Sequence, residues 1–275
     1  MERDRRDGWK HAKLTGHKNE DNITALVRET PELQQRILQC AGKQGVEILD
    51  VIDGGLNETK VQSVLGNKTK NKTDLKILLS NKETINVSVK KSLGGQVYLI
   101  AASRFIAGYE KIYNQIIPDR VKRAMRLYWG EADDTLDIAS EFKNDTPKKV
   151  YAYQIKKHRL VASTLSLYDS KMAEELLKWF DDNMFNIIDF CFSRGLAADE
   201  SEKAEIIWYK NTVGENNIDT MLWLPQIKDG IFAKSSFGKK LGGSTIQLPF
   251  GFVQWHQDSM QFHHNYDKLT SLFNN

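Results

Sequence analysis

Cysteine is scarce in this sequence. Its 275 residues include two, Cys40 and Cys191. They lie far apart in apolar surroundings, which rules out a disulfide framework and a zinc site built on paired cysteines. Long apolar runs are missing as well: none approaches the roughly 20 residues of a membrane-spanning helix. Nor is there a strong excess of one charge. The 39 Lys and Arg against 36 Asp and Glu leave a formal net charge of +3, so overall charge does not mark a nucleic-acid binder and only local clustering can. No internal repeat or low-complexity segment is present. The opening stretch MERDRRDGWK is too charged for a signal peptide. These absences lead to the expectation of a soluble cytoplasmic protein with no membrane partner. What remains is the composition of a folded chain, 40% hydrophobic and 27% charged, long enough for one large domain or two small ones.

The most informative stretch is TDLKILLSNKETINVSVKKS, residues 73–92. Leu75 to Leu79 form an apolar run, and Ser80-Asn81-Lys82-Glu83 reads as a turn, since Ser and Asn favour local side-chain-to-backbone bonds. The next run alternates with period two. Ile85, Val87 and Val89 point one way, and Asn86, Ser88 and Lys90 the other. The spacing predicts a β-hairpin that fixes a carboxylate, Asp74, near Lys90, with Ser88 facing an open polar site. Such a pair suits metal-dependent phosphodiester hydrolysis, in which the acid holds Mg2+ and the lysine stabilises attacking water and pentavalent phosphate. A solvated surface pair is the alternative.

This spacing resembles the PD-(D/E)xK nuclease motif, with Asp74, Ser88 and Lys90 at the matching positions. The sequence departs from the general motif at Ser88, where an acid is usual. One branch, the MspI-like group of Type II restriction endonucleases with its GCGC- and CCGG-cutting members, reads [ST]-D…[NQ]-x-K, and Thr73-Asp74…Ser88-Val89-Lys90 is similar to that. The GHKNE stretch resembles the first-helix region of the same group, which makes Glu20 a candidate third acid; a helix start favoured by Glu20 and Asp21 is the alternative. In that group a glutamine follows the active-site lysine and touches bases, a place matched by Gln96 after Gly94-Gly95, or else a loop glutamine. The tail also resembles the group's C-terminal region, where a strand ending M-Q-F-K closes a recognition sheet. Here it reads Met260-Gln261-Phe262-His263, with His263 in place of the lysine.

The rest of the chain supplies the frame. A helix is expected from about residue 19, with Ile23, Leu26 and Val27 on one face, and another over 31–40 opened by Pro31. Residues 46–52 read as a strand. Residues 58–72 are polar and lysine-dense: Lys60, Lys68, Lys70 and Lys72 either follow a phosphate backbone or lie in a solvated loop. Tyr98, Phe105, Tyr109 and Tyr113 recur at largely helical spacing. Amphipathic helices are expected over 119–129, with Asp119 as N-cap, and over 171–192. Ile206 to Tyr209 read as a strand. In the last seventy residues, amides and lysines suit base edges, with Lys240, Gln254 and Gln261 the foremost candidates. His256, His263 and His264 lack the spacing of a zinc site.

The resemblance implies a restriction-endonuclease-like α/β fold, a mixed central sheet flanked by helices with a C-terminal β-rich recognition part. The whole chain, 1–275, would be one endonuclease domain, catalytic over about 1–120 and recognising DNA over about 195–275. The implied activity is Mg2+-dependent cleavage of double-stranded DNA at a short, palindromic, GC-rich site. Asp74, Ser88 and Glu20 would hold the metal, Lys90 would act in catalysis, and Gln96, Lys240, Gln254, Gln261 and His263 would contact DNA. The resemblance also implies a cognate DNA methyltransferase in the same system, and since some members of the group act as monomers, a palindromic site would not require a dimer. Rival readings are a repair nickase or junction resolvase of the same fold, a catalytically dead DNA-binding protein, and a basic structural domain.

Overall fold

The computed structural model describes residues 5–53, 60–142, 159–214, 217–227, 235–238, 243–256 and 258–273. In chain order the strands are β1 (Ile48–Asp53), β2 (Lys60–Gln62), β3 (Lys68–Lys70), β4 (Leu75–Leu79), β5 (Thr84–Lys90), β6 (Gly94–Ala101), β7 (Ile206–Lys210), β8 (Asp219–Trp223), β9 (Thr245–Leu248), β10 (Gly251–His256) and β11 (Ser259–Asn265). The helices are α1 (Arg5–Glu29), α2 (Pro31–Cys40), α3 (Ala102–Tyr113), α4 (Asp119–Trp129), α5 (Thr135–Glu141), α6 (Ala162–Tyr168), α7 (Ser170–Asp182), α8 (Met184–Ile188) and α9 (Tyr266–Thr270). The chain divides into two compact units, Met1–Leu93 with Phe192–Ile227, and Gly94–Cys191 with Lys228–Asn275.

The first unit is built on a five-stranded sheet of order β1-β4-β5-β7-β8. It is mixed: β5 and β7 run parallel, and the other neighbours are antiparallel. The fold is thus α/β, with a central mixed sheet and helices packed on it. Strand parity decides the packing. Leu75, Ile77 and Leu79 share one face with Ile85, Val87, Val89, Ile206 and Trp208, and that face is sealed by Ile23 and Val27 of α1 and Leu33 and Ile37 of α2. The expected hairpin is present: Leu75 faces Val87 and Ile77 faces Ile85, and the chain reverses through Lys82 at φ 70, with the Leu79 N–H donating to the Glu83 carbonyl at 2.9 Å.

The second unit holds the antiparallel sheet β6-β11-β10-β9. Its buried face is aromatic. Phe105 of α3 packs on Phe262 and Phe190 at ring separations of 5.8 and 5.1 Å, and Tyr98 meets Phe190 edge-on. Two sequence expectations change here. Gln96 lies within β6 rather than in a loop, because Val97-Tyr98-Leu99-Ile100 is a β-forming run that pairs with β11. The helix starts only at Ala102, where the Glu131 carboxylate accepts from the Ala102 and Ser103 N–H groups at 2.7 and 2.6 Å. The segment 171–192 is not one helix. α7 stops at Asn183, whose side chain donates back to the Trp179 carbonyl, and after α8 the chain widens into a π-helical turn over Asp189–Arg194 that ends on left-handed Gly195. Asp119 is the first helical residue of α4, and Pro118 takes the cap position. Among the described residues, no helix is long and apolar enough to cross a membrane.

Candidate active site

Asp74 immediately precedes β4, and its own N–H extends the ladder by donating to the Val87 carbonyl at 2.8 Å. Since Leu75 faces Val87, register sets Asp74 beside Ser88, on the side of the hairpin away from the α1–α2 core. Three donors approach the carboxylate through one oxygen. The Val89 N–H donates to Oδ2 at 2.6 Å, the Ser88 hydroxyl donates at 3.2 Å, and the Lys90 ammonium stands 4.0 Å away. Lys90 Nζ also donates to Ser88 Oγ at 2.6 Å and to the Val89 carbonyl at 3.2 Å. The serine thus relays between lysine and aspartate, accepting from one and donating to the other.

Burial pushes the Asp74 carboxyl above its ordinary range. The Lys90 charge, the Val89 N–H, the Ser88 hydroxyl and the Lys72 charge oppose that rise without undoing it. Both side chains of the pair keep some access, Lys90 at 19% and Asp74 at 23% exposed. Ser88 is 1% exposed, which corrects the expectation that it faces an open polar site. It is covered because the polar side of β5 is itself packed: the Asn86 amide donates to the Ser201 and Lys203 carbonyls at 2.7 and 2.9 Å.

That covering segment contains a residue that sequence reasoning missed. Glu202 accepts from Asn71 Nδ2 at 2.5 Å and Lys76 Nζ at 2.7 Å, and its backbone carbonyl accepts from the Thr73 hydroxyl at 2.9 Å. It therefore clamps the chain on both sides of Asp74. Its only signal in the sequence is the run of acids Asp199, Glu200 and Glu202, and nothing local ties it to partners more than 120 residues away.

Glu20 stands one turn before Ile23 and Val27 on the same stripe of α1. Its neighbour Asn19 donates to the Lys210 carbonyl at 2.9 Å and accepts from the Thr212 N–H at 2.6 Å. Lys210 follows Tyr209, the parallel partner of Lys90. Asn19 thus ties α1 to the end of β7, next to the end of β5 that carries Lys90, while Glu20 shares the stripe of α1 that faces the core, on the other side of the hairpin from Asp74.

The donor set can be tested against the ion that the hairpin implies. Asp74, the Ser88 hydroxyl and the Val89 carbonyl are all oxygen donors, as Mg2+ requires, and Mg2+ is commonly held by one or two carboxylates with water completing its shell. Among the described residues no donor is assigned to Asp74 Oδ1, and no group of three or more His, Cys, Asp or Glu side chains could hold a metal. Only Asp74 offers a carboxylate there, so among the described residues the hairpin by itself is a sparse ligand set for Mg2+.

The DNA-contact candidates fall in the second unit. Gln96, Gln254, Gln261 and His263 come together on one side of its sheet, because Gln254 faces Gln261 and a bulge in β6 at Val97 turns Gln96 to face His263. Gln254 Nε2 donates to Gln261 Oε1 at 2.8 Å and approaches His263 Nε2 at 3.4 Å, and Gln261 Nε2 donates to Gln96 Oε1 at 2.7 Å. His263 stacks on Phe252 with ring centres 4.5 Å apart, and burial, then the charge of His256, lowers its pKa. Gln261, the middle of the row, is buried, whereas Gln96 is exposed. Lys240 lies outside the described residues.

No family model matches this sequence. No curated protein matches it. Among solved structures, the chain is similar to the restriction endonuclease MspI in complex with its cognate DNA, at 11% identity and a TM-score of 0.44 over 84% of this chain and 77% of that one.

Proposed function

We propose that this protein is a Mg2+-dependent, sequence-specific endonuclease of double-stranded DNA, of the Type II restriction kind. The observation that supports it is the arrangement of Asp74, Ser88 and Lys90 at one end of a sheet, with an acid and a lysine on adjacent strands 4.0 Å apart. Asp74 would hold the ion, helped by the Ser88 hydroxyl. Once bound, Mg2+ would supply a lowered water pKa and charge to offset the phosphate oxygens. Lys90 does the rest of the electrostatic work. Its ammonium, partly withdrawn from solvent, is pre-aimed by Ser88 Oγ and the Val89 carbonyl, so it can orient the attacking water and offset the charge gathered on pentavalent phosphorus. Water adds, the bond from phosphorus to the 3′ oxygen breaks, and a 5′-phosphate and a 3′-hydroxyl remain. The amide row of the second unit offers donors and acceptors of the kind that read base edges. A cytoplasmic setting, action as a monomer and a cognate methyltransferase belong to the same reading.

One observation favours a second reading, a DNA-binding protein without catalysis: the hairpin places a single acid, Asp74, beside Lys90, and Ser88 fills the place of another. Digestion of a fully sequenced phage DNA with and without Mg2+ decides between them. Discrete double-strand fragments that vanish with Asp74→Asn are expected. Intact DNA under every condition would refute catalysis, and nicks without fragments would move the assignment to a nickase or resolvase.

A further inference from the structure

The strands β2 and β3 form a two-stranded ribbon in which Lys60 faces Lys70, Val61 faces Thr69 and Gln62 faces Lys68. Parity sorts these side chains cleanly. Lys60, Gln62, Lys68 and Lys70 share the exposed face, while Val61 and Thr69 on the other are partly buried. Direct cross-strand pairing of like charges disfavours a ribbon on its own, and a polyanion laid along that face turns the same arrangement into attraction.

The ribbon is fixed at both ends. Its turn bonds to the 196–198 segment, with Val64 N–H donating to the Leu196 carbonyl at 2.9 Å and Ala198 N–H to the Gln62 carbonyl at 2.8 Å. At its exit, Asn71 Oδ1 accepts from the Lys72 and Thr73 N–H groups at 2.7 and 3.2 Å, and Glu202 holds Asn71 and Thr73. The next lysine in line, Lys72, is near enough for its charge to act on Asp74.

We infer that the Lys60–Gln62–Lys68–Lys70 face of this ribbon is a track for one sugar-phosphate strand of DNA, leading through Lys72 to Asp74. The inference rests on the nuclease reading and adds a sequence-independent contact to it. Lysines two apart on a strand are about 6.8 Å apart, so each can meet its own phosphate, and Gln62 can donate an amide N–H to a third. Because the strand is held from both ends, these charges are positioned before DNA arrives and lose little freedom on binding it.

The test measures binding of a random-sequence duplex of about 30 base pairs, in EDTA so that nothing is cut, over about 50 to 200 mM salt. The double variant Lys68→Gln with Lys70→Gln should lower the slope of log K against log salt by about 1.8, and Lys60→Gln by about 0.9. Lys111→Gln, which removes an exposed charge from α3, should leave the slope at the wild-type value. Far-UV circular dichroism checks folding, and if the double variant is unfolded, Lys60→Gln alone decides. Unchanged slopes in the folded ribbon variants, with wild type binding and cleaving DNA, would overturn the track and leave the nuclease reading intact. A wild-type protein that binds no duplex would overturn both.

Discussion

Substituting Asp219→Asn should remove an ionic anchor of the first unit and make the loss visible as a pH-dependent stability difference. Asp219 on β8 receives Arg36 of α2 at both oxygens, 3.1 and 3.2 Å, Lys210 Nζ at 2.7 Å and the Trp208 indole N–H at 2.9 Å. Burial pushes its carboxyl up, but the bonds from Arg36, Lys210 and Trp208 outweigh burial and bring it down to about 2. An unfolded aspartate titrates near 3.9, so the charged form is favoured in the native state by about two pK units, or on the order of 2–3 kcal/mol at most. With the side chain 28% exposed, solvent screening reduces this to ~1–2 kcal/mol. The folded pKa is the depressed one. Its contribution is therefore complete above about pH 4.5 and is lost as pH falls through about 2. Urea denaturation of both proteins at pH 7, 4 and 2.5 measures it, and the wild-type advantage should shrink steadily across the last two. A difference that is constant over that range would refute the ionic account and leave only packing. The anchor also bears on α1, because Lys210 offers its carbonyl to Asn19.

The other predictions concern the candidate site and the amide row. Lys90→Ala should lower cleavage by on the order of 10²–10³ while DNA binding persists, whereas Lys91→Ala, of opposite parity just beyond β5, should cut near the wild-type rate; single-turnover cleavage rates decide, and a dead Lys91 variant beside an active Lys90 variant would mean that the hairpin places the wrong lysine. Gln261→Ala breaks two side-chain bonds at a buried position and should cost about 1 kcal/mol of stability, seen as a lower urea midpoint, with Gln96→Ala at the exposed end costing less; equal midpoints would show that the row does not act as a unit.

Legibility from sequence tracked how local the determinants were. The 75–90 hairpin could be read because both signals are short-range: period-two alternation and a turn made from its own side chains. Pro31 opened α2 for the same reason. β6 was hidden, since Gly94-Gly95 look like a loop and the aromatic spacing from Tyr98 to Tyr113 mimics a helix, and only pairing with β11, more than 150 residues away, settles Gln96 in a strand. The lysine ribbon was hidden for another reason. Its alternation is carried by charge, Lys-Val-Gln against Lys-Thr-Lys, and a search for apolar periodicity passes over it. Glu202 and the amide row depend wholly on tertiary register, so their residue types could be named from the sequence while their partners could not.

The serine at position 88 ties these observations together. An acid there would lie beside Lys90 and neutralise its charge. With serine, the ammonium meets a neutral hydroxyl at 2.6 Å and a full negative charge only at 4.0 Å, so more of its positive potential remains for an incoming phosphate. Under the proposed function the cost would fall on the cation, which would have one carboxylate from the hairpin where the general motif supplies two. The proposed lysine track would offset part of that cost, because it would bind the polyanion through its phosphates and so raise the local concentration of phosphate oxygens near Asp74. Metal and DNA would then reinforce each other's binding, and the exposed ribbon and the buried serine would answer the same electrostatic deficit.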